Sequence, residues 1–525
     1  MNGTGALVRL VLRRDRLIIP LWVVVIAVLP ITQTSAIAEL YTGEQELRRF
    51  AESFGANPAL QSLYGPITHW NAAAMGTWRA GFTPVILALA SLLTVIRHTR
   101  VEEETGRREL LGSAVLGRHA GLTAALVVTA GANLAAGVIL ALSFVSQGHP
   151  VAGALALGSG YAALGLVFAA VAAVAAQLTE GAGGARGFAL SALGLAFLLR
   201  MAGDSTGTAW LSWLSPIAWG QRMRPFAGEV WWPLVLSCAV TVLLTAVAYV
   251  LADRRDVAGG LLPPRLGPAG AAAGLTSAFA LAWRLHRGTL AAWCVGVGLF
   301  GAVTGAATKA ATDTMAGNSQ LMAIMVALGG TTDMSDVFLA GLVGIFGIGV
   351  AGYAVQAALR VRAEEVAQRG EPLLATAVSR VGWAASHLVF ALLGPAVTLV
   401  VLGVCVGVAY GATVGDLFGH VPRLVGATLA QLPAVWTLAA LAIALFGLAP
   451  RLVGVSWAAL AVFLLFGQVG AVLDLPQPLL DLSPFSHLPK LPGGEVSALP
   501  LVVLTAVAAA LTAAGLYGFR RRDVG

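Results

Sequence analysis

The stretch RVEEETGRRELLGSAVLGR, residues 100–118, returns 262 positions later as RAEEVAQRGEPLLATAVSR, residues 362–380. Aligned without gaps, Arg100, Glu102, Glu103, Arg107, Glu109, Leu111 and Arg118 stand opposite Arg362, Glu364, Glu365, Arg369, Glu371, Leu373 and Arg380. Seven identities in nineteen positions exceed what two unrelated loops readily give, so the chain reads as a tandem duplication. Three shorter matches keep the same order. Arg13, Arg16 and Trp22 answer to Arg284, Arg287 and Trp293; Leu214-Ser215-Pro216 answers to Leu482-Ser483-Pro484; Arg254-Arg255-Asp256-Val257 answers to Arg521-Arg522-Asp523-Val524.

Between these charged stretches the chain is nearly free of charge. Of 525 residues 58% are apolar and only 11% charged, with a mean hydropathy of +0.83. A soluble domain carries about a quarter charged residues. The apolar runs reach ~20 residues or more, the length that crosses hydrocarbon. Backbone groups there must be satisfied within the segment, which leaves helices, since barrel strands would alternate over ~10 residues. The expected spans are 17–38, 80–97, 120–146, 151–177, 187–202 and 231–251, then 288–308, 336–358, 383–411, 421–448, 452–474 and 498–519. The expected fold is therefore an all-α membrane protein with twelve transmembrane helices in two tandem six-helix repeats. An even number of spans per unit makes both copies face the same way, a parallel pseudo-two-fold relation. The expected domains are 1–257 and 276–525, joined by a Gly/Pro/Ala-rich cytoplasmic linker at 258–275.

The cations orient the chain. The net charge is +7, and apart from Lys309 and Lys490 every cation is arginine. The arginines cluster at the N-terminus, 97–118, 254–287, 360–380 and the tail Arg520-Arg521-Arg522. Twelve spans put all of these on one side, so a bacterial cell membrane location with both termini cytoplasmic is expected. Their placement reads as topology, not as a nucleic-acid surface. Arg9 to Arg16 followed by an apolar run imitates a cleavable signal peptide. The matching span that opens the second half favours an uncleaved first span instead. Cys238, Cys294 and Cys405 fall inside apolar runs and read as packing thiols.

Chemistry is scarce. No Gly-x-x-x-x-Gly-Lys-Ser/Thr run is present, so the chain holds no P-loop of its own. The eight histidines are scattered, and no nucleophile–base or metal-ligand set converges, which points away from an enzyme. No carboxylate stands in the middle of an expected span, where ion-driven carriers place them. Asn133, Gln431 and Gln468 read as helix–helix glue. The charged segments are different. Glu103–Arg107 and Glu365–Arg369 have the favourable i,i+4 order, predicting that the second and eighth spans continue as helices. Pro372 suits the first turn of a short transverse helix at 372–380, with 110–118 as its counterpart. A device present twice at symmetric positions reads as a docking element for a two-fold partner. On the other side, 39–79 predicts a short amphipathic helix with Leu47, Phe50 and Phe54 on one face.

The pattern Arg-x-Glu-Glu…Arg-x-Glu-x-Leu…Arg after the second span resembles the cytoplasmic coupling segment of ABC-2-type exporter permeases. The duplicated full-length arrangement, and Leu214-Ser215-Pro216 followed by Trp219, Arg222, Arg224 and Pro225, are similar to the actinobacterial polyketide-antibiotic (tetronasin-type) branch. The resemblance implies a permease subunit exporting a hydrophobic drug-like compound by alternating access, with membrane lipid around it and no nucleic-acid partner. It implies two copies of a separate ATPase subunit, which would bind the ATP and Mg; no cofactor is expected in this chain. Twelve of the fourteen repeated residues, Glu102, Glu103, Arg107, Glu109, Leu111, Arg118, Glu364, Glu365, Arg369, Glu371, Leu373 and Arg380, would form the ATPase-coupling surface. It also implies elbow helices at 5–16 and 276–287, and short re-entrant helices within 203–230 and 475–497. The second copy departs from the first at Gln368, Gly370 and Pro372, where Gly106, Arg108 and Leu110 stand. The alternative is a twelve-span proton-coupled drug efflux transporter, disfavoured by the missing carboxylates.

Overall fold

In a computed structural model, residues 3–41, 43–55, 61, 64–67, 69–107, 116–256, 259–262, 269–316, 334–469 and 476–522 are described. Among them every regular element is helical, and eleven helices are long and apolar enough to cross a membrane. The chain divides into two compact units, Met1–Gly267 and Pro268–Gly525.

In the first unit the spanning helices are Ile18–Leu40, Thr83–His98, Ala120–Ser146, Val151–Leu178, Ala182–Thr206 and Trp232–Arg254. Proline just inside the start suits a helix, because its missing N–H is one no helical carbonyl would claim. Pro84 and Pro233 occupy that place in the second and sixth spans. The fourth span is the axis of the unit: 78% of its apolar window is buried, against 11% in the sixth. Between helices in lipid there is little hydrophobic drive, so small residues that let backbones approach do the work. Gly137 and Gly158 meet in this way, since a Cβ on either would collide with the other's carbonyl oxygen. Asn133 behaves as expected: Ser91 donates to its Oδ1 at 3.0 Å, tying the second span to the third.

The second unit holds Ala278–Ala316, Met334–Ala358, Arg380–Val414, Leu417–Leu429 with Leu432–Leu448, and Ala498–Arg521. Its buried axis is Leu417–Leu448, and Gly447 meets Gly515 of the last helix backbone to backbone. The expected span at 452–474 corresponds to a helix of 15 residues, Val455–Val469; the rest of it, and the Gln468 side chain, lie outside the described residues.

Two local expectations are corrected. The N-terminal elbow exists as a separate helix, Thr4–Arg14, but 278–287 is the start of the unbroken 39-residue helix Ala278–Ala316. The reason lies at the joint. Asp15 is buried, forms an ion pair with Arg97 Nη2 at 2.9 Å and meets His98 Nε2 at 2.7 Å, which pins a chain turn there. The repeat puts His286 at that position, facing His387 of the ninth helix at 3.0 Å, and no carboxylate holds a turn. The transverse helix expected at 372–380 is only Glu371–Leu374, because Ser379 caps a new helix through the Gly382 amide. Its counterpart at 110–118 lies mostly outside the described residues.

The segments expected on the outer side are helical in short pieces: Glu44–Gly55, Ala72–Arg79, Ala209–Trp213 and Pro216–Arg222 in the first unit, Gln477–Leu480 in the second. Leu47 packs with Ile37 and Met75 as its predicted face requires; the Phe50 and Phe54 side chains lie outside the described residues.

Candidate coupling site

The second spanning helix ends at His98, turns at Thr99, and resumes as Arg100–Glu104. The eighth ends at Ala358 and resumes as Arg360–Val366. Both short helices stop at a residue in the left-handed region: Gly106 at φ +68° and Gln368 at φ +55°. Glycine takes that conformation without penalty, whereas a side chain costs roughly 1–2 kcal/mol there. The same turn is thus kept in the second copy despite an unfavourable residue.

These turns also explain a misread pairing. With the helix over at Glu104, Arg107 no longer follows Glu103 on one face; it lies 3.4 Å from Glu102 instead. Arg369 likewise sits 3.6 Å from Glu364, not beside Glu365. Glu102 is also held by Arg14, and Glu364 by Arg360 at 2.9 Å.

Glu103 and Glu365, expected to face a partner protein, are buried inside their own units. Glu103 accepts from Arg100 Nη1 at 2.9 Å, and from Arg255 Nη1 and Nη2 at 2.9 and 2.8 Å. Glu365 accepts from Arg362 Nη1 at 2.8 Å, and both its oxygens accept from Arg522 Nη2 at 2.6 and 2.7 Å. Arg255 and Arg522 stand immediately past the last helical turns of Trp232–Arg254 and Ala498–Arg521. Each short helix is therefore fastened to the end of the last spanning helix of its unit. Charge-assisted bonds of this kind are the strong ones.

The last arginine of each repeat acts on the same helix end. Arg118 Nη2 donates to the carbonyls of Ala252, Asp253 and Arg255 at 3.1, 2.8 and 3.1 Å. Arg380 Nη1 donates to the Arg522 carbonyl at 2.9 Å. The final carbonyls of a helix lack partners within it, and a cation there also complements the helix dipole. Burial pulls the Arg255 guanidinium pKa down from its ordinary value. An arginine so far from neutral pH keeps its charge in spite of that.

Of the expected coupling residues, Arg107, Arg118, Arg369, Glu371 and Arg380 are exposed, together with Val366 and Pro372. Leu373 instead packs against a cluster containing Trp383, Phe446 and Phe519. Glu109 and Leu111 lie outside the described residues. Arg255 and Arg522 were missed as site residues. Their signal was present, in the repeat of Arg254–Val257 at Arg521–Val524, but the charges there read as topology markers.

A cavity of about 70 Å³ lies in the first unit, lined by Tyr64, Trp78, Tyr161, Leu164 and Gln221 among others. Gln221 Nε2 donates to the Tyr64 carbonyl at 2.8 Å, and Trp78 Nε1 to the Gly65 carbonyl at 2.6 Å. Burial raises the Tyr64 hydroxyl pKa, so it stays a neutral donor and acceptor. In the second unit an apolar groove of about 450 Å³ is lined by Trp293, Val297, Phe300 and Phe346.

Residues 275–520, all within the second unit, match the family described as multidrug efflux system permease Rv1217c, C-terminal domain. Over 524 residues the chain is 45% identical to the multidrug efflux system permease protein Rv1217c of Mycobacterium tuberculosis (strain ATCC 25618 / H37Rv), covering 100% of this chain and 95% of that protein. Identity at that level along the whole length shows the family, and the chain belongs to the multidrug efflux system permeases.

Proposed function

We propose that the chain is the transmembrane permease subunit of an ATP-driven exporter of the ABC-2 type, moving a hydrophobic drug-like compound out of the cell. Two copies of a separate nucleotide-binding subunit would supply the energy, holding ATP and Mg themselves. The observation that carries the reading is the duplicated lock. A force applied to 100–107 or 360–376 passes directly to the end of the sixth or last spanning helix, through Glu103–Arg255 or Glu365–Arg522. That is what a coupling segment needs: an exposed rim for the partner and a rigid connection to a span.

With the arginine-rich segments cytoplasmic, both termini lie inside and the rims face the ATPase. The aromatic cavity in the first unit and the apolar groove in the second suit a hydrophobic cargo. The polyketide-antibiotic branch remains the finer reading of that cargo, supported by the Leu-Ser-Pro motif before Trp219. A proton-coupled carrier is the weaker alternative. Among the described residues Asp204 and Asp336 each stand two positions inside the end of a spanning helix, Ala182–Thr206 and Met334–Ala358. Asp204 accepts from Ser212 at 2.7 Å and Asp336 is paired with Arg423, so both are already engaged at helix ends.

Proteoliposomes holding the chain and its ATPase test this. ATP without a proton gradient should drive drug transport, and an ATPase lacking its P-loop lysine should abolish it. Transport by the chain alone under a proton gradient would overturn the reading.

A further inference from the structure

The two locks share a plan but not a strength. In the first unit Arg255 Nε donates to Gln177 Oε1 at 2.6 Å, so the guanidinium is bonded at Nε as well as at both Nη atoms. Arg100 is wholly buried, donates through Nε to the Ala176 carbonyl, and reaches the Gly259 carbonyl through Nη2 at 2.8 Å. The chain beyond the sixth span closes over this cluster, with the Leu262 amide on the Leu178 carbonyl at 2.8 Å. The short helix, the fourth span, the sixth span and the following linker are thus joined in one buried network.

Among the described residues, the second unit lacks most of this. Near the end of the tenth helix Phe446 lies beside Arg522 as Gln177 lies beside Arg255, with the Arg522 guanidinium over the ring at 4.9 Å. Its Nε is buried without a partner, and Nη2 alone makes both bonds to Glu365. Arg362 retains 28% of its side-chain exposure, against 0% for Arg100, and bonds Glu365. A ring face accepts a cation but offers no directed acceptor to Nε. The short helix there also ends on Gln368 in a conformation that favours glycine.

We infer that the halves divide the labour. The first lock is a permanent brace, and the second is a latch that opens and closes during the transport cycle. Gln177 is the positioning residue that makes the difference, by completing the coordination of Arg255. This rests on the reading of both segments as coupling segments.

Hydrogen–deuterium exchange on the wild-type complex with its ATPase reads it directly, comparing the nucleotide-free state with one trapped by MgATP and vanadate. Peptides covering 360–369 and 517–522 should change exchange rate about tenfold, while 100–107 and 250–256 stay within about twofold. Equal responses in both units, a response confined to the first, or none in either would overturn the inference. The chain alone gives a second arm, with 360–369 exchanging faster than 100–107; equal rates there contradict the asymmetry. A chain that never binds the ATPase would instead defeat the functional reading and leave this comparison intact. Gln177→Met, similar in length and unbranched, should raise exchange at 100–107 toward that of 360–369, and an unchanged rate would remove Gln177 from the account.

Discussion

The carboxylate of Glu103 sits in the fork of the Arg255 guanidinium, with Oε2 2.9 Å from Nη1 and Oε1 2.8 Å from Nη2. The two residues are 152 positions apart in sequence and almost fully buried. Removing one partner from such a pair strands a charge, at a cost of about 3–5 kcal/mol, whereas replacing both can be close to neutral. Arg255→Met and Glu103→Leu should each lower the melting temperature of the purified chain markedly, and the double variant should lose less than the two together, the remaining loss being that of the buried Arg100 left without its carboxylate. Additive losses would mean that the pair is not a unit.

Arg118 and Arg380 cap the same helix end in the two units. Arg118→Ala should destabilise the last turn of Trp232–Arg254 by about 1 kcal/mol, read as faster amide exchange at 252–256. Arg118→Lys keeps the charge but not the geometry that reaches three carbonyls, and should fall between the two. Arg380→Ala should act on the last turn of Ala498–Arg521 in the same direction and by less, since it engages one carbonyl.

Gly106 has open space where a Cβ would stand, so any effect of substitution there comes from its φ of +68°. Gly106→Ala should cost about 1 kcal/mol of stability. Gln368→Gly relieves the same strain in the second unit and should be stabilising by several tenths of a kcal/mol after the entropy of glycine is set against it. Thermal melts of both variants decide it; opposite signs are the expected result.

His149, in the short connection after Ala120–Ser146, lies against the rings of Phe144 and Phe226 at 5.5 and 5.8 Å. Burial holds its pKa below the ordinary 6.5. The folded state therefore favours the neutral ring. Its contribution is present above 6.5 and declines as pH falls from there toward the lowered folded value, because the unfolded chain takes up the proton first. Melting temperature should drop across that acid window in the wild type, and the drop should be smaller in His149→Phe.

The spans were legible because hydrocarbon imposes one requirement, length without charge, that any window of sequence displays. The repeat located both charged segments and even the matching Arg255 and Arg522. Why these residues recur was not legible. A bidentate pair closed across 152 or 157 positions has no local pattern, and an arginine beside a span looks the same whether it marks topology or ties two helices. Helix continuity was misjudged for a related reason. The apolar run of the seventh span begins near 288, but the helix runs from Ala278, since hydropathy reports the part in lipid and not the backbone that extends beyond it. The stop at Gly106 and Gln368 was hidden because the i,i+4 spacing of Glu103–Arg107 is as good in sequence as in a true helix.

Burial of Glu103 and Glu365 also moves the decisive test elsewhere, since reversing either would break a helix tie within the chain. Arg107 and Arg369 retain 52% and 59% of their side-chain exposure and make only surface pairs, worth about 0–1 kcal/mol. The measurement is the number of drug molecules exported per ATP hydrolysed by the reconstituted complex carrying Arg107→Glu and Arg369→Glu together. A correctly folded double variant should lose its ATPase or hydrolyse ATP without export. Full coupling with an intact complex would contradict the coupling role of these segments.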